Sequence, residues 1–253
     1  MISKKDLLKI AEFKGLQPRL AELDYLQDIA LYNIYREFGN KIIFKGGTCL
    51  YKVFQLNRFS EDLDFNGSKG FKSKNFFQRL PYFFDLLNMK SRIRIKPFET
   101  GTNIYLDIHG PLYDGRKESA ASIIFNVSVR ERTVLDVPRH SYKPLYSELR
   151  PFDLFAMPEK EILAEKIRCI YGREKARDAY DLWYLLVLKQ IPLDMHLVNK
   201  KLAHDNLKFE AKTFLARLQE KQPTWKIDLA GLIHGELPVF EQAVKEIQQK
   251  IIS

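Results

Sequence analysis

The stretch Asp62-Leu63-Asp64-Phe65 most narrows what this chain can fold into. Side chains on a β-strand alternate between faces, so Leu63 and Phe65 point into a core while Asp62 and Asp64 project together on the other side. Two carboxylates one strand repeat apart repel each other, and a divalent cation between them relieves the repulsion. Mg²⁺ prefers oxygen ligands, commonly one or two carboxylates completed by phosphates. Upstream, Ile42-Ile43-Phe44 reads as a short buried strand running into Gly46-Gly47-Thr48 and then a helical stretch to Phe54. Glycine lets a backbone approach a phosphate closely. Thr48 suits a helix cap, and the N-terminal amides of that helix favour an anion. Taken separately, the glycines are equally an ordinary turn and the aspartates a solvated strand face. It is their order and spacing that favour a site for phosphate and metal.

The rest of the chain divides by pattern. Residues 4–13 and 19–38 show helical periodicity, broken by Gly15 and Pro18. Residues 71–89 read as a helix, with Pro81 a break or kink. Strands are expected at 91–98, 102–109 and 122–129, with a short one at 134–137. In the first of these, Arg92, Arg94 and Lys96 share one face, a solvated face or a guide for RNA. Helices are expected at 159–171, 176–188, 194–203, 209–219 and 238–251. The expectation is an α+β sheet domain over 1–150 and a helical domain over 151–253.

Composition bounds the partners. Of 253 residues, 45% are hydrophobic, enough for a sizeable core, and the net charge of +9 favours nucleic acid, nucleotides or another acidic partner. Cys49 and Cys169 lie far apart without metal-ligand spacing, and read as free thiols in a reducing compartment. No apolar run is long enough for a signal peptide or a membrane span, so a cytoplasmic protein is expected. His109 and His140 lie in no metal-ligand spacing and read as structural.

A second constellation lies at Glu165-Lys166 and Arg177-Asp178-Ala179-Tyr180-Asp181-Leu182. Lys166 sits on a helix whose apolar side is Ile162, Leu163, Ile167 and Ile170. Asp178 and Asp181 are three apart, on nearly one helical face. From the residues alone, they are as readily helix-terminal charges beside a solvated basic loop. In the functional reading, Lys166 neutralises phosphate charge as a mobile point cation and Arg177 steers a nucleotide or an RNA backbone. Asp178 then acts as a base or fixes Lys166 through a charge-assisted hydrogen bond.

The Gly46-Gly47-Thr48 turn followed by the Asp62/Asp64 strand resembles the nucleotidyltransferase fold of polymerase-β type. More narrowly, Lys45-Gly46-Gly47-Thr48 with Arg58-Phe59-Ser60-Glu61-Asp62-Leu63-Asp64-Phe65 resembles the AbiEii/AbiGii toxin family, which includes the MenT-type toxins. Leu163-Ala164-Glu165-Lys166 and Arg177-Asp178-Ala179-Tyr180-Asp181-Leu182 fit two further patterns of that family. The resemblance runs from the helix before Lys41 to about Leu188. It implies a mixed sheet with flanking helices, followed by a helical bundle that contributes to an active-site cleft. It implies a Mg²⁺ (or Mn²⁺)-dependent enzyme that transfers a nucleotidyl group from a nucleoside triphosphate, as the toxin of a toxin–antitoxin or abortive-infection system. The acceptor implied is RNA, such as a tRNA 3′ end, and the partner a cognate antitoxin. By the same resemblance Asp62, Asp64, Lys166 and Asp178 are the catalytic candidates, with the metal on Asp62 and Asp64. Gly46, Gly47, Thr48, Lys166 and Arg177 would hold the nucleotide, and Asp181 would be structural.

One departure bears on the chemistry. The family's third carboxylate is expected in the strand Ile124-Phe125-Asn126-Val127, where this chain carries Asn126. An amide offers an oxygen to a metal but accepts no proton at neutral pH. Asp107 and Asp178 are the alternative bases. A nucleotide- or RNA-binding module without chemistry, or an enzyme acting on a small molecule, remain the competing readings.

Overall fold

The computed structural model describes residues 1–68, 71 and 74–252. They fall into two compact units: Met1–Val53 with Phe59–Thr133 and Val137–Ala156, and Phe54–Arg58 with Val134–Asp136 and Met157–Ser253.

The first unit is built on a five-stranded mixed sheet. Its strands β1 (Ile42–Lys45), β2 (Leu63–Gly67), β3 (Ser91–Phe98), β4 (Gly101–Ile108) and β5 (Ala121–Ser128) lie in the order β1-β2-β5-β4-β3. Only β2 and β5 run parallel; the other neighbours are antiparallel. The two-residue period is visible in the burial. Ile42, Phe44, Leu63, Phe65, Ile104, Leu106, Phe125 and Val127 are buried on one face. Each contributes roughly 1.5–3 kcal/mol by leaving water. Helices α1 (Lys4–Lys14), α2 (Pro18–Phe38), α3 (Gly46–Phe54) and α4 (Lys74–Asp85) complete the unit. Helices α2 and α4 contact the sheet, and Phe77 of α4 meets Phe125 of β5 edge-on. A separate hairpin pairs β6 (Arg139–Tyr142) with β7 (Phe152–Phe155).

The second unit is helical: α5 (Glu159–Gly172), α6 (Ala176–Trp183), α7 (Met195–Leu202), α8 (Ala211–Gln219), α9 (Gln222–Leu229) and α10 (Phe240–Ile252). Its core includes Ile162, Leu163, Ile167, Tyr180, Leu182 and Trp225. The short Phe54–Arg58 segment is stitched into it. Arg58 bridges to Ile233, and the His234 amide donates to the Asn57 carbonyl at 2.7 Å.

Several expectations are corrected. No strand forms at 134–137. The amides of Val134 and Leu135 instead donate to the Glu161 carboxylate at 2.8–3.0 Å, which removes them from any ladder. The helix expected at 71–89 spans Lys74–Asp85 and carries Pro81 in its interior, while 72 and 73 lie outside the described residues. Its end is set by Asn88 at φ 57°, where the Met89 amide returns to the Phe84 carbonyl at 3.0 Å. The helix expected at 48–54 starts at Gly46. The helix expected at 176–188 is α-helical to Trp183 and continues as a wider π-type turn over Tyr184–Leu188. The β6–β7 hairpin and α9 were not legible from pattern.

Candidate active site

In the first unit, β1 ends at Lys45 and the chain enters α3 through Gly46 at φ +76°. That left-handed backbone favours glycine. Space demands it as well: a Cβ at Gly46 would lie 3.1 Å from the Cβ and Cγ of Asp64, and nearer still to a carboxylate oxygen. The first turn of α3 therefore lies directly against Asp64. The leading amides of a helix have no acceptor within it, an arrangement that suits an anion. Thr48 does not cap this helix. It is fully buried within the first turn, and its hydroxyl donates to the main-chain carbonyl of Asp62. Gly47 is buried beside it.

Asp62 immediately precedes β2 and Asp64 lies within it; both are half-buried, whereas Leu63 and Phe65 are fully buried. The loop leading to Asp62 is held by a residue the sequence did not single out. The Gln27 amide of α2 donates to the carbonyls of Ser60 and Glu61 at 3.0 and 2.8 Å. Helix α3 is pinned to α2 by Lys52, whose ammonium lies 2.7 Å from both Asp24 and Asp28 with all three side chains buried. Burial opposes the charge on Asp24, yet Lys52 and Lys14 outweigh it and hold its pKa at about 2.

The register across the sheet forms one row on the face opposite the apolar core. Lys45 pairs with Asp64, Asp64 with Asn126, Asn126 with Asn103 and Asn103 with Lys96. Asn126 thus stands at the side of Asp64, and its amide donates to Asp64 Oδ1 at 2.9 Å. The position expected of a third acid holds a hydrogen-bond donor. Asp107 does not replace it. It pairs with Ser122, four residues along β5 from Asn126, or about 13 Å at a strand's rise per residue. Its carboxylate accepts from Ser122 Oγ at 2.9 Å and from Arg94 at 3.3 Å.

No set of three His, Cys, Asp or Glu side chains converges as a metal cage among the described residues. The donor set still fits Mg²⁺ or Mn²⁺ bound together with a triphosphate. Two carboxylates are what Mg²⁺ commonly takes from protein, with phosphate oxygens completing its shell.

The second unit assembles the other candidates. Lys166 of α5 lies 2.7 Å from Asp178 Oδ1 and 2.7 Å from Asp181 Oδ2, both on α6. Asp181 is fully buried and also receives Arg58 in a two-point fork, Nε to Oδ1 and Nη2 to Oδ2, each 2.9 Å. Arg58 is a second residue whose role was not legible, although it opens the acidic motif. The pairing spans 123 positions of sequence. Burial works against the ammonium of Lys166, but Asp178 and Asp181 outweigh it and raise its pKa, so the group is cationic. Burial would raise Asp178, yet Lys166 brings it below the ordinary carboxylate value. A carboxylate so stabilised is a poor base, and the geometry favours Asp178 as the group that holds Lys166. Its second oxygen, Oδ2, is buried without a hydrogen-bond partner. Arg177, in the first turn of α6, is half-buried. Neither Cys49 nor Cys169 is in a disulfide, and burial pushes the Cys169 thiol up to about 11.

These arrangements agree with what the chain is similar to. It matches MenT4, a nucleotidyltransferase toxin from Mycobacterium tuberculosis H37Rv, at 18% identity and a TM-score of 0.67, over 99% of this chain and 88% of that one. It also matches JHP933 from Helicobacter pylori at 18% identity and TM-score 0.60, over 93% and 91% of the two chains. A putative nucleotidyltransferase from H. pylori matches at 19% identity and TM-score 0.60, over 93% and 94%. At such identities the likeness shows the fold. No curated protein matches the chain in sequence. The family itself is shown by sequence: the model of the nucleotidyl transferase AbiEii toxin of type IV toxin–antitoxin systems matches residues 29–249. With an acidic strand set against a glycine turn on a mixed sheet, and a match over most of its length, the chain belongs to the AbiEii nucleotidyltransferase toxin family.

Proposed function

We propose that this toxin transfers a nucleotidyl group from a nucleoside triphosphate to the 3′ end of an RNA, with tRNA the first candidate. The observation that carries the reading is the contact of Gly46 with Asp64, which sets first-turn amides beside a metal-type carboxylate. In this reading Gly46 and Gly47 offer main-chain amides to the phosphates, and buried Thr48 fixes the Asp62 main chain. Asp62 and Asp64 would hold Mg²⁺ or Mn²⁺, which when bound neutralises charge on the phosphoryl oxygens. Lys166, kept cationic by Asp178 and Asp181, is assigned to the leaving pyrophosphate, and Arg177 to the nucleotide. Residues 1–150 would carry the transferase site and 151–253 the charge that assists it.

An RNA acceptor is supported by the outer part of the same sheet face. Beyond Asn126, that face carries Lys96, Arg94 and Arg92 on β3, all exposed, with Tyr105 between the cations. Lys96 and Arg94 lie 5.3 and 5.5 Å from the centroid of the Tyr105 ring. From β2 to β3 is three strand spacings, about 14 Å, which a stacked strand covers in about four phosphates. The absence, among the described residues, of any helix long and apolar enough to cross a membrane is compatible with work on cytoplasmic RNA. Family membership implies a cognate antitoxin as the further partner.

The test is incubation with total tRNA and each α-labelled triphosphate in turn. One labelled product is expected, and none from Asp62→Ala or Asp64→Ala. Unchanged labelling by both variants would sink the proposal. The hydrogen bond from Asn126 to Asp64 favours a second reading, a binding module without chemistry. Saturable triphosphate binding with no product would select it.

A further inference from the structure

Two residues beyond Asp64 on β2, on the same face of the sheet, stands Asn66. It is 2% exposed, and both its Oδ1 and its Nδ2 are buried without a hydrogen-bond partner. Most buried polar side chains in folded proteins are satisfied, and leaving one amide wholly unpaired is costly. Asn66 borders a cavity of about 400 Å³ whose other walls include Ile43, Gly67, Lys41, Arg132 and Thr133. Lys41 and Arg132 are exposed at its rim, while Ile43 gives it an apolar side. The cavity falls within the size range of small-ligand pockets, and its lining is mostly polar and cationic, with Ile43 and Val137 as its apolar side chains.

The chemistry of the vacant amide specifies the ligand. An asparagine side chain presents one acceptor and one pair of donor hydrogens side by side in a plane. Its complement is a planar group with a donor and an acceptor on adjacent atoms. The edge of a nucleobase is such a group, and asparagine is among the side chains that pair with one in two-point fashion. We propose that this cavity is a nucleobase site and that Asn66 reads the base. The site is two strand residues from Asp64, about 6–7 Å along β2, within reach of a nucleotide whose phosphates lie at Gly46 and Asp64. The proposal rests on the nucleotidyl-transfer reading above and adds to it the residue that sets base preference. The base belongs either to the triphosphate or to the terminal nucleotide of the acceptor; both present the same chemistry to Asn66.

The test is calorimetric binding of ATP, CTP, GTP and UTP with Mg²⁺ to the full chain, and in a second arm of short oligoribonucleotides ending in each of the four bases. The unaltered protein and the variants Asn66→Ala and Asn66→Asp are compared, with thermal melting of each. In one arm the unaltered protein is expected to favour one base by about tenfold or more. Asn66→Ala should erase that preference, and Asn66→Asp, which keeps the shape but offers only acceptors, should shift it toward a base presenting donors. Preference among triphosphates assigns the cavity to the incoming nucleotide; preference among oligonucleotides assigns it to the acceptor. Asn66→Ala should not melt more than about 2 °C lower, since no bond is lost, whereas Asn66→Asp buries a carboxylate and its melting serves only to show that it is folded under the assay conditions. Base preferences identical in all three proteins would overturn the nucleobase site and leave nucleotidyl transfer standing. So would a large drop in melting temperature for Asn66→Ala, because Asn66 would then be a structural residue. Failure of the unaltered protein to bind any triphosphate or oligonucleotide would overturn both.

Discussion

Replacing Asn126 with aspartate probes the acidic site directly, and the size of the effect follows from its geometry. In the unaltered protein the Asn126 amide donates to Asp64 Oδ1 at 2.9 Å. In Asn126→Asp without metal, two carboxylates would face each other at that separation. Unrelieved, two charges about 3 Å apart at an effective dielectric of 20 repel by about 5–6 kcal/mol. Protonating the new aspartate is cheaper. From an ordinary pKa of about 3.9 to pH 7 it costs about 4 kcal/mol, and it restores a donor to Asp64. Both side chains are only half-buried, so water lowers the penalty to about 2–4 kcal/mol. At about 2–4 °C per kcal/mol for a chain of this size, melting should fall by about 5–15 °C in EDTA at pH 7. The sign with pH is fixed. The new carboxyl is protonated in the fold above its unfolded pKa, so the deficit grows as pH rises and shrinks by about 1.4 kcal/mol per unit as pH falls toward 4. Millimolar Mg²⁺ should restore most of the loss, and Asn126→Ala should show neither dependence. Scanning calorimetry at pH 5 and 7, with EDTA and with Mg²⁺, measures all of this. A variant that melts within about 1 °C of the unaltered protein in EDTA at pH 7 would refute the placement of residue 126 beside Asp64.

Further outcomes are expected from substitutions at Gly46, Gly115 and Lys52. Gly46→Ala forces a side chain into left-handed backbone at about 1–2 kcal/mol and onto the Asp64 carboxylate, so both stability and label transfer should drop. Gly115→Ala, at φ +96° with nothing within 4 Å, should cost stability alone; equal transfer by the two variants would discredit the contact. Lys52→Met leaves Asp24 and Asp28 buried without their shared cation and should cost about 3–5 kcal/mol in denaturant titration. The depressed pKa of Asp24 means its stabilisation is present above about pH 4 and lost as pH falls toward 2. That acid limb should therefore be shallower in Lys52→Met, and an unchanged limb would dissociate Asp24 from Lys52.

The sequence by itself determined the parts that repeat locally. Alternation at Leu63 and Phe65 sends the intervening Asp64 to the other face because a strand has a period of two, and no distant contact is needed to know it. Gly46 between a buried strand and a helix likewise announces a turn, because only glycine accepts its left-handed backbone without cost. The family was legible for the same reason: its motifs are contiguous. Contacts between distant residues were not. The fork of Arg58 on Asp181, the grip of Lys52 on Asp24 and Asp28, and Gln27 holding the loop before Asp62 join positions that share no period. An apolar-looking strand at 134–137 was lost because one buried carboxylate, Glu161, took its amides. What the tertiary structure alone decided is pairing: which charges are neutralised, which amide stands beside Asp64, and which, at Asn66, is left with no partner. A residue's type states what bonds it can make, and only the surrounding fold determines whether they are already made.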